Sequence, residues 1–111
     1  MPSLILHVDE SLNYIFKKLD VNLIEKNITD IIINELDAEK DNCQIIWVQS
    51  KIFNSNYKLY GEIKFREKKS RDVNKRKSCL KKIGDILKNE FNVFIRPRAF
   101  SIKEAYITAL D

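Results

Sequence analysis

Glu62–Leu87 reads EIKFREKKSRDVNKRKSCLKKIGDIL. Its first residues finish an alternating segment that starts at Tyr57. Leu59, Gly61, Ile63 and Phe65 fall on one side, and Lys58, Tyr60, Glu62 and Lys64 on the other. A period of two is the mark of a half-buried strand. After Ser70 the period changes. Val73, Leu80, Ile83, Leu87 and Phe91 recur at helical spacing, with Cys79 and Ile86 beside them. Gly84 in mid-helix weakens that helix by about 1 kcal/mol relative to alanine. Val93–Ile102 then reads as a last strand, and Pro97 inside it points to an edge, a bulge or a pocket. The tail Glu104–Leu110 is expected to extend that strand.

The same order of elements stands upstream. Ser3–Val8 (SLILHV) reads as a strand, and Asp9–Lys18 as a loop or short helical turn. Asp20 is a capping residue, followed by Leu23, Ile24, Ile28, Ile31, Ile32 and Leu36 at spacings of three and four. Gln44–Ile52 (QIIWVQSKI) is rich in β-branched and aromatic residues and reads as a strand. Asn54-Ser55-Asn56 is turn chemistry, so the strands on either side are expected to form a hairpin. Placing Ser11 over Ser70 sets Leu6 on Phe65 and Asp9-Glu10 on Lys68-Lys69, a repeat of about 59 residues. The expected fold is α/β (α+β), a duplicated β-α-β in a single domain over 1–111, with pseudo-repeats 1–56 and 57–111. Each unit pairs its two strands in parallel. The result is a four-stranded sheet with two helices on one face. The bare face of the sheet then needs cover, which oligomerisation supplies in a chain of this size.

Composition narrows the function. The chain has 111 residues and enough apolar content for a core without disulfides or metal. Cys43 and Cys79 lack metal-ligand spacing and His7 is the single histidine, so no zinc site is expected, and the cysteines read as a reduced intracellular pair. The apolar run at 3–6 is too short for a signal peptide or a membrane span, which implies a cytoplasmic protein. Net charge is +4 but uneven. Residues 64–82 hold ten Lys and Arg against Glu67 and Asp72, a local +8, while the rest sums to −4. Such asymmetry suits an anionic substrate or partner or a solvated helix face.

Pro2 is the chemically distinctive residue. A small second residue lets Met1 be removed, which leaves a secondary amine at the start of an apolar strand. Desolvation and nearby cations disfavour its ammonium form, so it becomes a base near neutral pH. His7 has the strand parity of Ser3 and Ile5, not of Pro2, so it reads as a packed or solvent-facing strand histidine. Arg96 and Arg98 alternate with Ile95, Pro97 and Ala99 and share one face, a plausible clamp for a carboxylate.

Met1-Pro2 before an apolar strand, the duplicated β-α-β and the strand, basic turn and helix of Glu62–Leu87 together resemble the tautomerase superfamily. Trp47 followed by the Tyr57–Phe65 strand is most similar to the 5-carboxymethyl-2-hydroxymuconate isomerase branch. That resemblance implies a homotrimer, with three sheets around an axis and helices outside. It implies a cofactor-free isomerase in which Pro2 moves a proton on a small unsaturated 2-hydroxy or 2-keto carboxylic acid. Lys69 matches the family's basic turn residue, usually an arginine, and joins Arg96 and Arg98 as the implied substrate-binding set. The branch carries an arginine shortly before its tryptophan, whereas residues 41–47 here read DNCQIIW and hold none. Two other classes stay open. One is an interaction protein on the same fold with weak catalysis. The other is a nucleic-acid module using the basic helix of 71–82, which lacks the consecutive sheet aromatics that base stacking needs.

Overall fold

The computed structural model describes residues 2–110. Strand β1, Ser3–Asp9, buries Leu4, Leu6 and Val8 and leaves Ser3, Ile5 and His7 half-buried on the other side. Asp9 ends it. Its carboxylate accepts from Ser11 N–H at 3.0 Å and Ser11 Oγ at 2.5 Å, which starts a 3-10 turn over Glu10–Leu12. A single helical turn, α1 (Asn13–Phe16), follows. Helix α2, Val21–Leu36, opens where Asp20 accepts from Leu23 N–H at 3.2 Å, and it closes at Asp37 with a φ of 50°. Its buried stripe is Ile24, Ile28, Ile32 and Leu36. Strands β2 (Gln44–Ser50) and β3 (Leu59–Arg66) come next. Helix α3, Val73–Phe91, is capped by Asp72 on Lys75 N–H at 2.9 Å and ends at Asn92 with a φ of 54°. Strand β4, Ile95–Ile102, completes the sheet.

The strand order is β2-β1-β3-β4. β1 and β2 are parallel, β3 and β4 are parallel, and β1 and β3 meet antiparallel in the middle. Two β-α-β units thus join along their first strands. The helix stripes pack on one sheet face in a single core with Leu4, Leu6, Leu59, Ile63 and Phe65. Each fully enclosed Ile, Leu or Phe there contributes about 1.5–3 kcal/mol. Trp47 donates from its indole nitrogen to Glu25 at 3.0 Å, tying β2 to α2. Lys82 on α3 pairs with Glu35 on α2, and Lys75 stands 3.9 Å from the same carboxylate. No described helix is long and apolar enough to cross a membrane.

Several expectations are corrected. β2 and β3 do not form a hairpin, because β2 takes one edge of β1 and β3 the other. The connector 51–58 instead crosses the end of β1, where Asp9 holds it. Ile52 N–H donates to the Asp9 carboxylate at 2.7 Å, and Asp9 N–H donates to the Lys58 carbonyl at 2.9 Å. Leu23 and Val73 are about half exposed, at 52% and 50%, since each lies in the first turn of its helix beyond the sheet. The tail does not extend β4. It turns into a 3-10 segment over Glu104–Tyr106. Pro97 does lie on an edge strand, as its missing N–H demanded.

Candidate active site

Pro2 precedes β1 and follows the burial parity of Leu4 and Leu6. Its side chain is less than 2% exposed, on the helix side of the sheet. Gln44 N–H donates to its carbonyl at 3.0 Å. The antiparallel register, with Ser3 opposite Lys64, sets Pro2 beside Phe65. Met1, and with it the expectation of its removal, lies outside the described residues.

The same end of the sheet holds a buried guanidinium. Arg71 is 3% exposed. Its Nε donates to the Leu36 carbonyl at 2.5 Å, one NH2 group donates to the Arg66 carbonyl at 2.8 Å, and the guanidinium carbon lies 5.6 Å from the Phe65 ring centre. Asp37 and Cys43 lie close enough to interact with its charge, although burial outweighs them and lowers its pKa. Desolvation also raises the Cys43 thiol. Lys69 sits in the exposed turn between β3 and α3, and it makes no hydrogen bond or ion pair among the described residues.

Arg96 and Arg98 lie elsewhere. Their Cα partners on β3 are Tyr60 and Glu62, whose own partners on β1 are His7 and Ile5. Both arginines therefore project from the face without helices, two strands from β1. There they line a cleft of about 650 Å³ with His7, Ser50, Lys51 and Tyr60. His7 Nδ1 and Ser50 Oγ are 3.0 Å apart. Tyr60 donates to Glu62 at 3.1 Å. Burial first, and then that carboxylate, raise the Tyr60 phenol above its ordinary value. Within one chain, then, the structure brings Arg96 together with Arg98, and it places Lys69 at the end of the sheet where Pro2 lies. It does not bring Pro2 to the arginine pair.

By sequence, no family model matches the chain and no curated protein does. Solved structures do match in shape. A member of the cis-3-chloroacrylic acid dehalogenase family superposes with a TM-score of 0.76 at 12% identity, over 96% of this chain and 79% of its own. Pt0534 inactivated by 2-oxo-3-pentynoate gives 0.70 at 11% identity, over 96% and 90%. A fused 4-OT wild-type symmetric trimer gives 0.66 at 8% identity, over 98% and 92%. This is the tautomerase-superfamily fold.

That fold accounts for the duplicated layout. Arg71 is the residue that sequence reasoning missed at the Pro2 end of the sheet. It stands two positions after Lys69, and only the fold supplies the two carbonyls that draw it inside. The one available signal was its position directly before the capping residue Asp72.

Proposed function

We propose that this protein is a cofactor-free isomerase. In this reading Pro2, freed of Met1, takes a proton from the enol oxygen or an acidic carbon of a small unsaturated 2-hydroxy or 2-keto carboxylic acid. It then returns that proton to another atom of the conjugated chain. One observation carries the reading: the Pro2 ring is enclosed at the sheet end that also holds the buried Arg71. Low solvation and a neighbouring cation both disfavour an ammonium, so the amine stays a base.

The substrate carboxylate needs cations. Lys69 stands at the right end of the sheet to supply a point charge. Arg96 and Arg98 reach a Pro2 only from another subunit, and their place on the edge strand β4 suits that role. We therefore propose a homotrimer, with the pair approaching the Pro2 of a neighbour. The fused 4-OT neighbour is a symmetric trimer, which supports this assembly.

The test uses purified protein whose intact mass shows the loss of Met1. Phenylenolpyruvate ketonisation is expected to fall by about 100-fold or more in Pro2→Ala, the scale of losing a general base. The electrophile 2-oxo-3-pentynoate, whose activated alkyne adds secondary amines, is expected to label the first tryptic peptide of the wild type and not of Pro2→Ala. Equal turnover in the two proteins removes Pro2 from the mechanism. A second reading, an interaction protein on the same fold, is favoured by the separation of Pro2 from Arg96 and Arg98 within a chain. It predicts a trimer without turnover and without labelling.

A further inference from the structure

The cleft on the helix-free face gathers more positive charge than the proposed arginine pair alone. Its walls include Lys51, Arg96 and Arg98, the hydroxyls of Ser50 and Ser55, and the His7 imidazole. Among the described residues no carboxylate lines it. Glu62, which β3 carries on this face, is already engaged by the Tyr60 hydroxyl at 3.1 Å and by Lys64 at 3.6 Å. Asp9 is turned to Ser11 and Ile52. Among the described residues Arg96 makes no hydrogen bond or ion pair, and Arg98 donates only to the carbonyl of Pro97, at 2.8 Å. Three cations therefore share the cleft, none of them ion-paired among the described residues, beside the Ser50 and Ser55 hydroxyls and the His7–Ser50 contact. Tyr57 and Tyr60 add aromatic walls.

We propose that this cleft is a binding site for a phosphomonoester carried on a planar group, complete within one subunit. A monocarboxylate offers one charge and two oxygens. A phosphomonoester offers close to two charges and three strong acceptor oxygens, which matches three cations and flanking hydroxyls. Arginine suits phosphate through its paired donors. The tyrosine walls suit a flat ring, and the volume lies in the range of small-molecule sites. The site stands without the proposed Pro2 chemistry. Where the two arginines also serve a neighbour's Pro2, an occupied cleft competes with substrate for them.

His7 is the only histidine, so its ring resonances report on this cleft alone. Titration with phenyl phosphate at low salt is expected to move them to saturation. Benzoate, with the same ring and a single charge, is expected to bind about tenfold more weakly, and inorganic phosphate, without the ring, more weakly too. The double variant Arg96→Gln/Arg98→Gln and the exposed-site variant Lys51→Gln should each weaken phenyl phosphate by about tenfold. Pro2→Ala should bind it as the wild type does, even if neither protein turns over an enol. Equal binding of benzoate and phenyl phosphate overturns the proposal. So does an unmoved His7 signal at about 10 mM probe, or loss of binding in Pro2→Ala.

Discussion

Asp9 shows how one side chain fixes a topology. Its carboxylate receives Ser11 Oγ, Ile52 N–H and Ser11 N–H, and these bonds hold its pKa at about 2 against an ordinary 3.8. A depressed carboxylate stabilises the fold fully above its unfolded value, and that contribution is lost as pH falls through the folded one. Asp9→Asn should therefore lower Tm at pH 7, and its loss of stability between pH 4 and pH 2 should be shallower than the wild type's. Parallel Tm–pH curves for the two proteins would show that the clasp contributes nothing. The sequence marked Asp9 only as part of a turn, because its second role needs Ile52, which is remote in the chain and close only after folding. Arg71 was illegible for the same reason. The strand parities of His7, Arg96 and Arg98 were legible, since a period of two is a local property.

Elements with a clear period were read well, as was the parallel pairing inside each β-α-β unit, and only the hairpin expected between β2 and β3 was not. The stripes of α2 and α3 and the alternation of β3 follow from side-chain chemistry within each segment. Which strand lies beside which depends on the competition for the edges of β1, and a polar turn such as Asn54-Ser55-Asn56 does not settle that. Gly61 records the outcome. It lies on β3 between Leu6 on β1 and Pro97 on β4. A Cβ at this position would stand 3.0 Å from Leu6 Cδ2 and 3.7 Å from Ile95 Cδ1. Leu6 is fully enclosed and has little room to retreat. Gly61→Ala should destabilise the protein by about 1–3 kcal/mol, the usual range for overpacking. Urea denaturation checks this: an unchanged midpoint would mean that the sheet yields at its centre. The sequence placed Gly61 on the apolar side of its strand, and only the packing explains why a larger residue is excluded.

At the scale of the molecule, the helices cover one face of the sheet and leave the other bare. That face carries two kinds of surface. Toward β3 and β4 it is the cationic cleft. Toward β2 it is apolar, with Ile46 37% exposed beside Ile5 and Val48. An apolar strip on a two-layer fold calls for cover, and in a closed ring of three copies a different surface of the neighbouring copy supplies it. Light scattering should accordingly give three times the 13.1 kDa of one chain. A carboxylate placed in the strip would be buried without a counter-ion, so Ile46→Asp should dissociate the assembly into monomers. The uncovered monomer should keep its far-ultraviolet circular dichroism, because Ile46 lies outside the core beneath the helices. A wild-type chain that is monomeric at about 100 μM, a concentration at which weak micromolar association would show, removes the trimer. An Ile46→Asp variant that stays assembled moves the interface away from β2, toward the edge where Arg96 and Arg98 stand.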